Sequence, residues 1–298
     1  MTELTMLAEM MNRDLDTAVR ELAELNITRL DLKNHIFDRA IEDLDDARRE
    51  RLATVLDRTG ASVYCFASTL GHRNVSDVGE HAFRTSLEAG IDNMVATAAW
   101  VRPAKVRLLA CGFDERADYA DATTFLDEQA PWVYDAYRDA IDQIEAAGLA
   151  ATIENEPYTV LSNPEETVEF FARLDRPRAR FTWDIQNMWQ SGTYPSVDAY
   201  LALRPVTDYV HLKGGRASPE APRALAFRCP LDRASWPVRE VVSAVLADGI
   251  SPVLCLNPSH GAADPDDDLA PLAGTPEWTR AEAIRNVEYL RATFRGIA

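Results

Sequence analysis

Short apolar runs alternate with helical patterns from one end of this chain to the other, and no other feature restricts its fold as much. Read by period, strand runs fall at 4–8, 27–32, 61–66, 106–111, 149–154, 180–184, 209–211 and 252–257. Between them lie faces spaced as one side of a helix. Examples are Leu15, Ala18, Val19 and Leu22, then Leu52, Val55 and Leu56, then Phe83, Leu87, Ile91 and Met94, then Trp132, Ala136, Ala140 and Ile144. Asn26, Gly60 and Gly148 stand where left-handed helix terminators are expected. Ser162-Asn163-Pro164-Glu165 reads as a capping box, with Ser162 accepting an amide and Glu165 reaching back. A helix over about 236–247 precedes the last strand run. Thr275-Pro276 opens the final helix, whose expected inner face is Ala281, Ile284, Val287 and Leu290.

Eight strands separated by helices demand a parallel sheet, open or closed. An open doubly wound sheet carries a glycine-rich turn after an early strand, and none is present. The chain has 298 residues, and a closed barrel needs roughly 250. No Ser/Gly-rich linker divides it. The expected fold class is therefore α/β, a single (β/α)8 TIM barrel, with one domain over residues 1–298.

Charge and cysteines narrow the function classes. Lys plus Arg number 31 and Asp plus Glu 48, a formal charge of −17, which disfavours nucleic acid and anionic membrane as partners. Cys65, Cys111, Cys229 and Cys255 form no CxxC pair and read as small buried hydrophobes. The start of the sequence lacks a basic segment followed by an apolar one, and no apolar stretch reaches membrane-spanning length. A cytoplasmic setting is the expectation.

In a barrel, chemistry gathers at the C-terminal ends of the strands. Here the late runs end in Glu154, Asp184, His211 and Asn257. Alternation puts Thr152 with Glu154, Thr182 with Asp184, Tyr209 with His211 and Cys255 with Asn257 on shared faces. Glu, Asp and His at neighbouring strand ends supply hard oxygen and imidazole donors suited to Mn²⁺, Mg²⁺, Co²⁺ or Zn²⁺. Taken singly, each is as readily a cap or a loop anchor. Their convergence predicts one divalent metal ion.

Three segments carry a resemblance: Ile153-Glu154-Asn155-Glu156-Pro157, Phe181-Thr182-Trp183-Asp184-Ile185-Gln186-Asn187, and Tyr209-Val210-His211-Leu212-Lys213. With Gly192, Pro195 and the order of elements, they resemble the sugar phosphate isomerase/epimerase group of xylose-isomerase-like barrels. That group includes inosose dehydratase, tagatose 3-epimerase-type enzymes and hydroxypyruvate isomerase. The resemblance implies that Glu154, Asp184 and His211 are metal ligands and that Glu154 is also a catalytic base. It places Asn187 near the substrate oxygens and Lys213 at the same mouth. Carbohydrate or polyol substrates follow, and a homodimer is the assembly such barrels commonly form.

The chain departs from the group at two places. The strand-eight Glu that completes the ligand set, commonly followed by Pro and His, is replaced in Leu256-Asn257-Pro258-Ser259-His260. Asn257 can offer a metal an amide oxygen but no charge, and it cannot exchange a proton. The Asp usual after the Lys is Gly214. With one carboxylate base remaining, isomerisation or dehydration through an enediolate is expected. The alternatives are a two-base sugar epimerase in which His260 supplies the second acid/base, and a non-catalytic sugar-binding barrel with a degenerate metal site. His260 reads equally as an exposed loop histidine. Abasic-site endonucleases share the fold, but their multi-zinc site needs more histidines than the five here can provide.

Three further positions complete the expected site. His72 follows the third strand and either touches substrate or is an ordinary loop residue. Arg107 either contacts substrate or reaches inward as an ion-pair partner. Glu156 either binds substrate or caps a turn. The run Asp264-Pro265-Asp266-Asp267-Asp268 reads as a solvated loop.

Overall fold

Strand segments rich in Leu, Val, Cys and Ala are buried on both faces in the computed structural model, as a parallel sheet ringed by helices requires. Residues 1–257 and 261–298 are described. The first strands are β1 (Glu3–Leu7), β2 (Arg29–Leu32), β3 (Ser62–Ala67), β4 (Lys105–Leu109), β5 (Ala150–Glu154), β6 (Arg180–Asp184) and β7 (Thr207–Leu212). A small antiparallel hairpin, β8 (Arg216–Ser218) and β9 (Ala221–Phe227), comes next, and β10 (Val253–Leu256) follows it. β1 pairs with β2 on one side and β10 on the other, so the eight parallel strands close into a barrel without edges. The closed (β/α)8 reading is thus the observed one.

The surrounding helices are α1 (Ala8–Met11), α2 (Leu15–Glu24), α3 (Asp46–Thr59), α4 (Val75–Val101), α5 (Ala122–Gln129), α6 (Trp132–Ala146), α7 (Pro164–Leu174), α8 (Ile185–Gln190), α9 (Val197–Leu203), α10 (Val238–Asp248) and α11 (Pro276–Thr293). Among the described residues no helix is long and apolar enough to cross a membrane. Gly60 closes α3 in the left-handed conformation.

Two helix details differ from the sequence expectation. Pro164 occupies the first position of α7, which makes Asn163 the cap that accepts the Glu166 amide at 2.9 Å. Ser162 instead donates to the Thr159 carbonyl at 2.6 Å. The inner face of α11 is rotated: Glu282, Ala283, Asn286, Val287 and Leu290 are buried, whereas Ala281 and Ile284 are only partly covered. Each inward polar group has a partner. Arg228 pairs with Glu282 at 2.8 Å, and the Leu231 amide donates to Asn286 at 2.7 Å.

The barrel interior is unusually polar. Such interiors are ordinarily layers of branched aliphatic residues. Here Thr5, Asp31, Arg107, Thr152, Thr182 and His211 are all buried. Thr152 and Thr182 meet hydroxyl to hydroxyl at 2.7 Å, in keeping with the alternation that puts Glu154 and Asp184 at the same end. Tyr64, Cys65, Tyr209, Val253 and Cys255 form an apolar cluster separate from the main core.

Candidate metal centre at the barrel mouth

Register brings the late strand ends together. Asp184 pairs with His211 across β6 and β7, and His211 pairs with Cys255 across β7 and β10. Glu154, Asp184 and His211 each present a ligand atom, all within 4.8 Å of one another and all buried. The His211 Nδ1 lies 3.1 Å from Glu154 Oε1 and 3.9 Å from Asp184 Oδ2.

Local folding aims these atoms. Asp184 caps α8, its Oδ1 accepting the Asn187 amide at 2.9 Å, which leaves Oδ2 for the site. Asn155 holds the Asp184 backbone from both sides, accepting its N–H at 2.9 Å and donating to its carbonyl at 3.0 Å. Asn187 then donates to Glu156 Oε2 at 2.9 Å and accepts from Lys213 Nζ at 3.0 Å. Lys213 also pairs with Asp184 Oδ2 at 2.9 Å. Lys213, Asn187, Glu156 and the ligand carboxylates are therefore one connected network. Asn257 Nδ2 donates to Asp184 Oδ2 at 3.3 Å.

Arg107 reaches inward from β4. Its Nη1 pairs with Glu154 Oε2 at 2.6 Å, and Nη2 donates to the carbonyls of Ala67 and Ser68, each at 2.7 Å. Burial alone would raise the Glu154 carboxyl, but Arg107, His211 and Lys213 outweigh it and hold the group well below the usual carboxylate range. Asp184 goes the other way. Burial pushes it up to about 6, against the pull of Lys213 and with the push of Glu154. Burial opposes the Lys213 charge, yet Asp184 and Glu156 keep that ammonium firmly protonated.

One imidazole nitrogen and two carboxylates are a donor set that suits Zn²⁺, Mn²⁺ or Co²⁺. One buried atom of this cluster, Asn257 Oδ1, lacks a hydrogen-bond partner. Turning the Asn257 amide over would present its oxygen to a cation at the expense of the Asp184 contact. The residues thus fit a divalent ion. The electrostatics temper the affinity, because Arg107 and Lys213 already balance Glu154 and Asp184 and Asn257 adds no charge.

The remaining expected residues lie at varying remove. Glu156 is half-buried within the network. His72 is exposed in the loop after β3 and lines a cavity of about 450 Å³ with Asn74, Asp114 and Tyr158. His260, with Pro258 and Ser259, lies outside the described residues. Trp183 stacks on Tyr200 of α9, while Trp189 Nε1 donates to the Arg223 carbonyl at 2.8 Å and ties α8 to the hairpin. Gly214 has its own explanation. A Cβ there would come 1.7 Å from the Cys229 carbonyl oxygen, so only glycine admits the segment packed behind the hairpin.

Two residues escaped the sequence reading. Asn155 sits inside the Glu-Asn-Glu string, where an amide beside a strand end was the available signal. Asp31 is an acid between two leucines in a run that otherwise reads as buried strand, and that misplacement was its signal.

The comparisons with known proteins agree with this architecture. None of the curated proteins matches the chain by sequence. Among solved structures, the probable 3-DHS dehydratase AsbF of Bacillus anthracis superposes with a TM-score of 0.68 at 16% identity, covering 97% of this chain and 98% of that one. A xylose isomerase-like TIM barrel protein from Mycobacterium smegmatis, solved with magnesium, gives 0.69 at 17% identity, covering 100% and 98%. D-psicose 3-epimerase of Clostridium cellulolyticum H10, solved with D-tagatose, gives 0.69 at 14% identity, covering 98% and 99%. At these identities the likeness speaks for the fold alone. The profile of one family matches residues 19–282, and on that match the chain belongs to the xylose isomerase-like TIM barrel family.

Proposed function

We propose that this protein is a metal-dependent isomerase or dehydratase acting on a sugar, ketose or cyclic polyol through an enediolate. The observation that carries the proposal is the convergence of Glu154, Asp184 and His211 within 4.8 Å at the mouth, with Lys213 seated on Asp184. Similarity to a dehydratase and to an epimerase of sugars gives the reading its context.

Glu154, Asp184 and His211, with Asn257 as a neutral fourth donor, would hold a divalent cation, which would supply Lewis acidity toward a substrate carbonyl or hydroxyl. The chain's own groups do the rest. Arg107 immobilises Glu154 Oε2 and keeps the carboxyl ionised, so a proton alpha to a carbonyl would be taken at Oε1, the oxygen turned to His211. The Lys213 ammonium, fixed by Asp184 and Asn187, steadies negative charge that develops on the substrate oxygen. Asn187 and Glu156 offer an amide and a carboxylate to substrate hydroxyls. Asn257 cannot deliver a proton to the opposite face. Delivery of the proton by Glu154 to the adjacent carbon of the enediolate, on the same face, gives isomerisation, and departure of a beta-hydroxyl as water, with the proton that Glu154 accepted, gives dehydration.

The test is metal content together with exchange. Protein purified without chelator should hold roughly one divalent ion per chain, as a mononuclear site requires. Asp184→Ala and His211→Ala should lose it while remaining folded. In D₂O, a screen of ketoses, inososes and 3-keto sugars should show exchange at one carbon without inversion. Full occupancy in both variants would remove the site, and exchange with inversion would replace the single-base reading with a two-base one.

A further inference from the structure

Tyr158 is an aromatic residue whose backbone lies in the left-handed region, at φ 59°. That region is unfavourable for a bulky side chain, and such strain persists only where the surroundings enforce it. Here they do. The Tyr158 amide donates to Ser191 Oγ at 3.2 Å, and its carbonyl accepts the Phe113 amide at 2.9 Å. The residue gains no burial in return: it is 63% exposed, so a fixed backbone holds the ring out toward solvent. The ring lines the cavity of about 450 Å³ that it shares with His72, Arg73, Asn74 and Asp114. Asn74 Nδ2 donates to Asp114 Oδ2 at 2.9 Å, which orients that exposed carboxylate. These residues follow β3, β4 and β5, on the face of the barrel that carries the metal centre. Tyr158 also lines a cavity of about 640 Å³ beside Trp189 and β9, where Ala221, Pro222, Ala224 and Leu225 offer apolar side chains. The polar set is on the His72 side alone.

We propose that the cavity bounded by Tyr158, His72, Asn74 and Asp114 is a subsite for a second sugar unit, so that the substrate is a disaccharide or other glycoside rather than a free monosaccharide. The inference rests on the sugar reading above and narrows it. A pyranose ring has a face of C–H bonds and a rim of hydroxyls. The face of an aromatic ring carries partial negative charge and attracts those C–H bonds. The rim suits a carboxylate that accepts and a guanidinium that donates. Tyr158 supplies the platform, and Asp114, Arg73 and His72 supply the rim contacts. The volume falls within the range of about 300–1,000 Å³ usual for ligand sites. An inorganic anion fits the cavity poorly, because Asp114 repels it and the ring offers it nothing. Because the strained backbone is fixed before a ligand arrives, little ordering remains to be done on binding. The link to the metal centre is covalent and short. Only Pro157 separates Tyr158 from Glu156, whose Oε2 is held by Asn187 within the metal-centre network, so the two Cα atoms are at most about 7 Å apart. A unit stacked on Tyr158 is therefore one glycosidic bond from a unit whose hydroxyls meet Glu156.

The experiment is calorimetric titration of the purified protein with maltose, cellobiose, lactose and sucrose, with glucose as the reference. Wild type should bind at least one disaccharide about tenfold or more tightly than glucose, as one stacked ring and one charged hydrogen bond provide. Tyr158→Ala should weaken that disaccharide about 3- to 10-fold, and Tyr158→Phe, which keeps the ring, should retain it. Asp114→Ala should weaken it about tenfold or more. Both side chains are exposed, so circular dichroism should show the variants folded. For sugars that are turned over, kcat/KM for the glycoside relative to the free sugar should fall in Tyr158→Ala and recover in Tyr158→Phe. A panel in which no disaccharide binds more tightly than glucose overturns the proposal. So does a preference that survives undiminished in Tyr158→Ala or in Asp114→Ala. If disaccharides bind through Tyr158 and Asp114 but no sugar exchanges a proton in D₂O, the reaction proposed above fails and the subsite stands. If monosaccharides are turned over and no disaccharide is preferred, the reaction stands and the subsite fails.

Discussion

The two halves of the barrel reach the same site from different depths. The late half, β5 to β7 with the end of β10, contributes Glu154, Asp184, His211 and Asn257 from strand ends. The early half contributes Thr5, Asp31 and Arg107 from within β1, β2 and β4. The late groups face one another, whereas the early groups face the far sides of the late ones: Arg107 takes the second oxygen of Glu154, and Asp31 lies toward the second nitrogen of His211. A site built only from strand ends would have the correct atoms free to rotate. Arg107, from the deeper layer, removes that freedom at Glu154, where its hydrogen bond fixes the second carboxylate oxygen.

The comparison can be broken most directly at Glu154. Glu154→Gln keeps an oxygen for a metal and loses the proton acceptor, so turnover should fall on the order of 10²–10⁴-fold, read from steady-state kinetics. Near-normal turnover would shift the reaction away from the late half. Arg107→Met tests the early half by stability. It leaves Glu154 buried without its cation, and urea unfolding should show a loss of about 3–5 kcal/mol. Combining Arg107→Met with Glu154→Gln should restore much of that loss, because the stranded charge is gone. Unchanged stability in Arg107→Met would separate the two layers.

Asn257→Glu sharpens the picture with a smaller effect. Adding a carboxylate beside an otherwise balanced cluster should tighten metal binding on the order of tenfold, about 1.4 kcal/mol, without raising turnover. A gain in epimerase turnover would instead mark a two-base ancestry. The smallest expected signal comes from the four buried thiols. Burial pushes Cys111 and Cys229 up to about 12 and Cys65 and Cys255 well above their ordinary value. All four should stay silent to a disulfide reagent at pH 8 until the protein is unfolded. A fast-reacting thiol in native protein would mean the interior layer is open to water.

The sequence announced one layer of this arrangement and only part of the other. Strand ends are readable because helices and turns punctuate them, so Glu154, Asp184, His211 and Asn257 could be placed at a common mouth from position alone. Arg107 was legible as an inward ion-pair partner on the neighbouring strand, but Asp31 meets Tyr209 from a strand distant in sequence, and no local spacing records that contact. The hairpin of β8 and β9 was hidden for a related reason: its strands are short, exposed and weakly patterned. The aspartates after Gly261 resembled a solvated loop. Two of them are in fact buried, Asp264 against Arg216 at 2.6 Å and Asp267 accepting the Leu269 amide at 2.8 Å. A charge run has the same composition whether water or arginine neutralises it.

The contact between Gly214 and the Cys229 carbonyl limits what can be engineered here. Placing an aspartate after Lys213 by a single substitution is blocked, because any side chain at that position collides with backbone rather than with a side chain that can swing aside. The segment behind the hairpin would have to move first. A side chain after Lys213 therefore takes two changes, a shift of that segment and then the substitution itself. Gly214 and the Cys229 segment are thus a single inheritance in the mechanical sense: neither can be exchanged in this barrel without rebuilding the other.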